Sequence, residues 1–281
     1  MSWPASMHGG VGAPSWPARA DDWNRRSTLH ASRHRRPTLK RPSEPAAPMN
    51  IKTTVEDPAL VGRRRAQLTQ AAIACFSERG YHPTTIRDVA ERADVSIGLI
   101  YQYVGDKEDL LFMALQEVLD IYMRQIPMAL EGVADPLGRF CTAVRAYCRV
   151  NGSSVDATVL AYRETKSLRA ERRAAIMQKE LDTNELIAAC VRDCIAAQLF
   201  EVIDVDIFVY QIVMFCHAWA LKAWHFAKAM DVDTYLERGL KLMLRGVLTG
   251  AGEKRMRRLE AERVVPVAPA APARPRRVSR R

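Results

Sequence analysis

Thr84-Thr85-Ile86-Arg87-Asp88-Val89-Ala90-Glu91-Arg92-Ala93-Asp94-Val95-Ser96-Ile97-Gly98-Leu99-Ile100-Tyr101-Gln102-Tyr103 is the stretch that decides how this chain folds. It contains two cap-and-helix signals separated by a tight turn. Thr84 or Thr85 caps a short helix whose inward positions are Ile86, Val89, Ala90 and Ala93, and Asp88, three residues after Thr85, completes a capping box. After the break at Ala93-Asp94-Val95, Ser96 caps a further helix over residues 97–103. A helix that short buries too little to serve as a core element. Its outer face carries Ser96, Gly98, Leu99, Gln102 and Tyr103, which leaves free amides and short side chains for phosphates and base edges in a DNA major groove.

Working outward, Asp57-Pro58 opens a preceding helix that closes at Gly80, with Leu68, Ala71, Ala72, Cys75 and Phe76 along one face. Asp106 caps a fourth helix with Leu110, Leu111, Ala114, Leu115, Val118 and Leu119 inside, expected to stop or kink near Pro127. Helical periodicity then predicts segments at 137–150, 155–167, 169–199, 205–230 and 234–248, with breaks at Asn151-Gly152 and Asp231-Val232-Asp233. The expected fold is all-α: an N-terminal three-helix helix-turn-helix domain (57–112), then a larger helical ligand-binding and dimerisation domain (113–250). Low-complexity composition marks 1–56 and 251–281 as disordered basic tails.

The formal net charge is +10, but it is unevenly placed. Residues 1–50 carry 8 Lys/Arg against 3 Asp/Glu and residues 253–281 carry 10 against 3, which leaves the section between them close to neutral. Recognition of DNA by the core therefore falls to a few placed groups. Six cysteines without a CxxC pattern, each at a helical core position, suit a reduced cytoplasmic protein; Cys190 and Cys194 share a helical face but read as packing, so no metal is expected. No apolar run is long enough to span a bilayer, and no membrane partner is expected. G-x-S-x-G, H-E-x-x-H, Walker A and G-x-G-x-x-G motifs are absent, so neither enzymatic activity nor a cofactor is expected.

Over residues 65–115 the chain resembles the TetR family: it has the Phe-x-x-x-Gly-Tyr end of the first helix, the Thr-Thr cap, the Val-Ser start of the recognition helix, a Tyr-x-Tyr pair and an Asp-Lys-Glu cap on the fourth helix. Asp94 stands where the turn glycine is usual, and Val104 where an aromatic is frequent. The resemblance implies a helix-turn-helix over 85–104, phosphate contacts from Thr84 or Thr85, Tyr101 and Lys107, and base-edge contacts from Arg87, Ile97, Leu99, Gln102 and Tyr103. Side-chain chemistry agrees, since Arg87 can pair bidentately with guanine, Gln102 with adenine, and Leu99 can meet a thymine methyl. Tyr101 can equally be a core aromatic, and Arg87 a solvated helix charge.

Behind this domain, residues 207–221 are apolar all round, so both faces are expected to be buried. One face, with Leu240, Met243, Leu244 and Val247, is assigned to the homodimer interface that the resemblance implies. The other is assigned to a pocket for a small, mostly apolar effector, lined by Tyr147, Tyr162, Arg163, Gln211, Met214 and His217, with a satisfied core histidine as the alternative for His217. The expected function is a repressor that leaves a near-palindromic DNA operator when an effector binds, loosely similar to fatty-acid and acyl-thioester responsive members. The alternative is a ligand-independent structural or cell-division factor of the same fold, which a fully packed core behind Gln211 and His217 would favour.

Overall fold

The Asp57 carboxylate accepts hydrogen bonds from the amides of Ala59 and Leu60, Pro58 occupies the first helical position, and helix α1 runs Pro58–Arg79. Gly80 ends it at φ +87°, a conformation that glycine alone adopts without strain. The computed structural model describes residues 51 and 53–264. Next come α2 (Ile86–Arg92), α3 (Ile97–Ile100) and α4 (Lys107–Leu130), each opened by the cap its sequence supplies: Thr85, Ser96 and Asp106. Thr85 and Asp106 both form complete capping boxes, with Asp88 and Asp109. Leu68, Ala72, Phe76, Val89, Ala90, Ile100, Leu110 and Leu111 close one core among these four helices.

The larger unit follows as α5 (Pro136–Ser153), α6 (Val155–Glu164) with a 3-10 turn at Thr165–Ser167, α7 (Ala170–Ala196), α8 (Val205–Leu221), α9 (Ala223–Phe226), α10 (Val232–Leu244) and α11 (Gly250–Val264). Among the described residues there is no β-strand, only an isolated bridge between Phe200 and Leu248. A second core gathers Tyr122 and Ile126 of α4 with Leu137, Phe140, Val144 and Tyr147 of α5, Ile187 and Val191 of α7, and Phe208 and Ile212 of α8. Helix α4 thus belongs to both cores and joins the two units. The N terminus of α7 is tied to the N terminus of α4 by ions: Arg169 pairs with Asp106 and Glu108 (2.8 Å each), and Arg172 with Asp109.

Several sequence expectations need correction. Helix α4 passes through Pro127 and ends at Leu130, because a proline in the last turn interrupts little of the remaining ladder. Helix α5 continues through Asn151 and Gly152, since buried Asn151 satisfies its own amide on the Tyr147 carbonyl (3.1 Å). The expected 205–230 helix breaks at Lys222 into α8 and α9. At the C-terminal end, 251–264 is a helix rather than a tail: Met256 and Leu259 pack on the core and Arg255 pairs with Asp135 at 2.9 Å. At the other end, Ile51 is buried and the Thr54 amide donates to the Gln102 carbonyl (3.1 Å), so the segment just before α1 is docked on the recognition turn. The remainder of both expected tails, and the basic charge they carry, lies outside the described residues.

Candidate DNA-binding surface and effector site

The turn between α2 and α3 works because Asp94 takes φ +52°, the left-handed conformation in which an Asp substitutes for glycine at modest cost. Ser96 Oγ then accepts from the Leu99 amide and starts α3. The α-helical part is shorter than expected. It ends at Ile100, and Gln102 and Tyr103 continue by i→i−3 bonds to Leu99 and Ile100 (3.0 Å each). That tightening sorts the two tyrosines: Tyr101 is 52 % exposed and Tyr103 only 3 %.

Of the residues assigned to DNA, Arg87, Ser96, Ile97, Gly98, Tyr101 and Gln102 are exposed and Leu99 half-buried, on one contiguous segment and the helix before it. A Cβ at Gly98 would meet nothing nearer than Ser96 Oγ at 4.0 Å, so the fold itself makes no demand for glycine there. Arg87 has no hydrogen-bond or ion-pair partner among the described residues, which leaves its guanidinium free.

Four assignments change. Thr84 is buried and its hydroxyl donates to the Gly80 carbonyl (2.7 Å), so it closes the α1–α2 turn instead of meeting a phosphate. Thr85 is exposed, but its amide and hydroxyl both donate to Asp88. Tyr103 lies in the core, out of reach of a base. Lys107 donates to the carbonyls of Tyr81, His82 and Thr84 (3.0 Å each), with its ammonium 4.4 Å from the Tyr81 ring centroid. All three of its N–H groups are thereby used inside the protein, where they brace the α1–α2 turn.

In the larger unit, His217 sits at the centre of a hydrogen-bond chain. Its Nε2 is 2.9 Å from the Tyr147 hydroxyl and its Nδ1 2.8 Å from that of Tyr162, which also donates to Met214 Sδ at 3.3 Å. Burial pushes the imidazole pKa down to about 4, so the ring is neutral and one nitrogen must accept while the other donates. Tyr147 stacks on Tyr122 at 4.1 Å, and burial raises both phenols well above their ordinary range. The Tyr122 hydroxyl lies beside Tyr147 and Asn151 but makes no hydrogen bond of good geometry.

The structure thus brings together Tyr147, Tyr162, Met214 and His217. Gln211 on α8 and Arg163 on α6 are exposed, and no hydrogen bond among the described residues links either to this hydrogen-bond chain. The sequence reading missed Tyr122, Glu180 and Asn184. The last two face inward on α7, a helix so rich in polar residues that its buried polar positions do not stand out. An open cleft of about 400 Å³ lies elsewhere, between Pro127 and Leu130 of α4 and Leu186 and Cys190 of α7. All six cysteines are buried, and burial pushes the Cys190 and Cys194 thiols up, away from the thiolate that metal binding or oxidation requires. Among the described residues no cluster of ligating side chains could hold a metal.

Two short capped helices at a left-handed turn, the second exposed and backed by a closed core, define a helix-turn-helix DNA-binding domain coupled to a larger helical domain. The profile of "Bacterial regulatory proteins, tetR family" matches residues 68–114, and that of "Tetracyclin repressor-like, C-terminal domain" matches 133–225. The HTH-type transcriptional regulator HbdR of Aromatoleum sp. (strain CIB) is 48 % identical over 207 residues, 74 % of this chain and 90 % of that one. The chain belongs to the TetR family of bacterial transcriptional regulators. Among solved structures, a tetR-family regulatory protein from Rhodococcus RHA1 matches with a TM-score of 0.60 at 23 % identity, covering 66 % of this chain and 96 % of that one. FadR from Bacillus subtilis, solved with stearoyl-CoA, matches at 0.56 and 18 %, covering 64 % and 98 %. No helix among the described residues is long and apolar enough to cross a membrane.

Proposed function

We propose that this protein is a cytoplasmic repressor that binds a near-palindromic operator as a homodimer and leaves it when an acyl-thioester or fatty-acid effector enters the larger helical domain. The observation that carries the reading is the division of labour along residues 84–107. Thr84, Thr85, Tyr103 and Lys107 are consumed in holding the turn, while Arg87, Ile97, Tyr101 and Gln102 stay outward. A rigid frame presenting uncommitted side chains suits base readout.

The dimer surface we assign differs from the sequence reading. Leu240, Leu244 and Val247 face the core, whereas Ile207, Tyr210 and Met214 of α8 and Leu242 of α10 are exposed, each by 44 % or more. An apolar patch of that kind on adjacent helices fits a self-complementary two-fold contact. The closed packing around His217 favours the ligand-independent alternative, as that reading anticipated. Against it, the buried Asn184 amide lacks partners, which a core built only for stability avoids. The ligand of Bacillus subtilis FadR supports an acyl-CoA effector.

Selection of bound sequences from a random duplex pool, followed by anisotropy titration with octanoyl-CoA, tests the proposal. The expected result is a two-fold symmetric site that takes two chains and is released by the thioester. A bound sequence without symmetry, or a complex with one chain, contradicts the dimeric operator; release by no acyl compound contradicts the effector.

A further inference from the structure

The recognition segment ends in carbonyls that it does not satisfy itself. Helix α3 is α-helical for four residues, and the amides from Leu99 to Val104 reach the carbonyls of Ser96, Ile97, Leu99 and Ile100. The chain then turns at Gly105 toward the Asp106 cap of α4, so the carbonyls of Gln102 and Tyr103 find no partner within the segment. Both are taken up from outside it. Thr53 Oγ1 donates to the Gln102 carbonyl at 2.9 Å and the Thr54 amide to the same oxygen at 3.1 Å, while Nε and Nη2 of Arg65 each lie 3.4 Å from the Tyr103 carbonyl oxygen. Residues 51 and 53–55 thus form a strap across the end of the recognition segment, and the strap is itself anchored. Ile51 is buried in the core of the DNA-binding domain, Val55 packs against the same core, and Arg65 Nη2 donates to the Ile51 carbonyl at 2.6 Å. The Val55 amide donates to Thr53 Oγ1 (3.2 Å), which leaves the one hydroxyl proton of Thr53 for Gln102.

The consequence falls on one side chain. The Gln102 backbone is held on both sides, its N–H on the Leu99 carbonyl (3.0 Å) and its own carbonyl on the strap, while its side chain is exposed and makes no hydrogen bond among the described residues. We infer that the strap is part of the DNA-reading device, with Thr53 as a positioning residue that fixes the Gln102 amide for one base pair and acts through Gln102 rather than through a DNA contact of its own. A side-chain amide that reads adenine makes two hydrogen bonds in a single plane, so a drift of the backbone that carries it costs discrimination before it costs general affinity. Phosphate contacts made elsewhere on the domain tolerate that drift, because they carry no sequence information. This inference rests on the assignment of Gln102 to a base edge and adds the group that orients it.

A double-mutant cycle on the full chain tests it, with anisotropy titrations on the operator selected from the random pool, on that operator substituted at each base pair in turn, and on random duplex. Thr53→Val keeps the size of the side chain and removes the hydroxyl. It should weaken operator binding about two- to ten-fold, leave random duplex unchanged and flatten preference at the same base pair that Gln102→Ala flattens. Thr53→Ser keeps the hydroxyl and should bind as the parent does. Thr53 is exposed, so both variants should unfold within about 4 °C of the parent Tm. In the Gln102→Ala background, Thr53→Val should cost nothing further. Parent-like operator binding by Thr53→Val overturns the inference, and so do losses from the two substitutions that multiply independently. An equal loss on random duplex makes Thr53 a phosphate contact and overturns it as well. If Gln102→Ala changes preference at no base pair, the base-edge reading of Gln102 fails and this inference falls with it.

Discussion

Arg87 offers five N–H donors from an exposed position on α2, and nothing among the described residues uses them. If they meet a guanine edge, Arg87→Ala should weaken operator binding by about 1–3 kcal/mol and relax preference at one base pair per half-site, while binding to random duplex changes little. Anisotropy titrations on both duplexes check this; equal losses would make Arg87 a phosphate contact. Lys107 carries the opposite expectation. Its ammonium serves three carbonyls inside the domain, so Lys107→Met should cost about 1.5–3 kcal/mol of stability, a fall in Tm of roughly 3–12 °C, with any loss of DNA affinity following from the loosened turn. An unchanged Tm together with a uniform loss of affinity would return Lys107 to the phosphate-binding set. These residues mark the limit of what the sequence reveals. Thr84 and Thr85, or Tyr101 and Tyr103, have equal standing as letters, and only the closing hydrogen bonds of α1 and the tightened end of α3 determine which of each pair faces out.

At the scale of elements, the caps were legible and the interior was not. Asp57, Thr85, Ser96 and Asp106 each start the helix that their side chains predict, because a cap is a local hydrogen bond between residues two or three apart. Breaks are harder to read. Asn151-Gly152 and Pro127 signal interruption, yet the helices end only at Ser153 and Leu130, one and three residues further on. The α2–α3 turn depends on one backbone conformation, and the order of tolerance at position 94 follows from it. Asp94→Gly should preserve or slightly raise Tm, whereas Asp94→Val should lower stability by about 1–2 kcal/mol and weaken DNA binding by misplacing α3. Comparable Tm values for all three side chains would mean that the left-handed turn does not constrain this motif.

The whole molecule joins its two units through α4, which packs in both cores, and through the ions that tie the start of α7 to the start of α4. A change around His217 and Tyr147 therefore has a packed path to the recognition turn. The buried polar chain also makes stability depend on pH. The His217 pKa is about 4 folded against an ordinary 6.5, so the unfolded chain binds the extra proton between those values, and this contribution is complete above pH 6.5 and lost as the pH falls toward 4. Glu180, raised by burial, works in the opposite sense, and Tyr147 and Tyr162 stay protonated throughout. His217→Gln should therefore lose less stability than the parent between pH 6.5 and 4, by up to about 3 kcal/mol, as read from urea midpoints; parallel curves would mean that His217 is not buried neutral.

The central claim is that effector and operator compete through one conformational equilibrium, and calorimetry of octanoyl-CoA binding tests it most directly. The measurement is made on free protein and on protein saturated with its selected operator. Linkage requires the operator to weaken thioester binding by the same factor by which the thioester weakens operator binding, a coupling of about 1–3 kcal/mol. Equal thioester affinities with and without the operator would contradict the account.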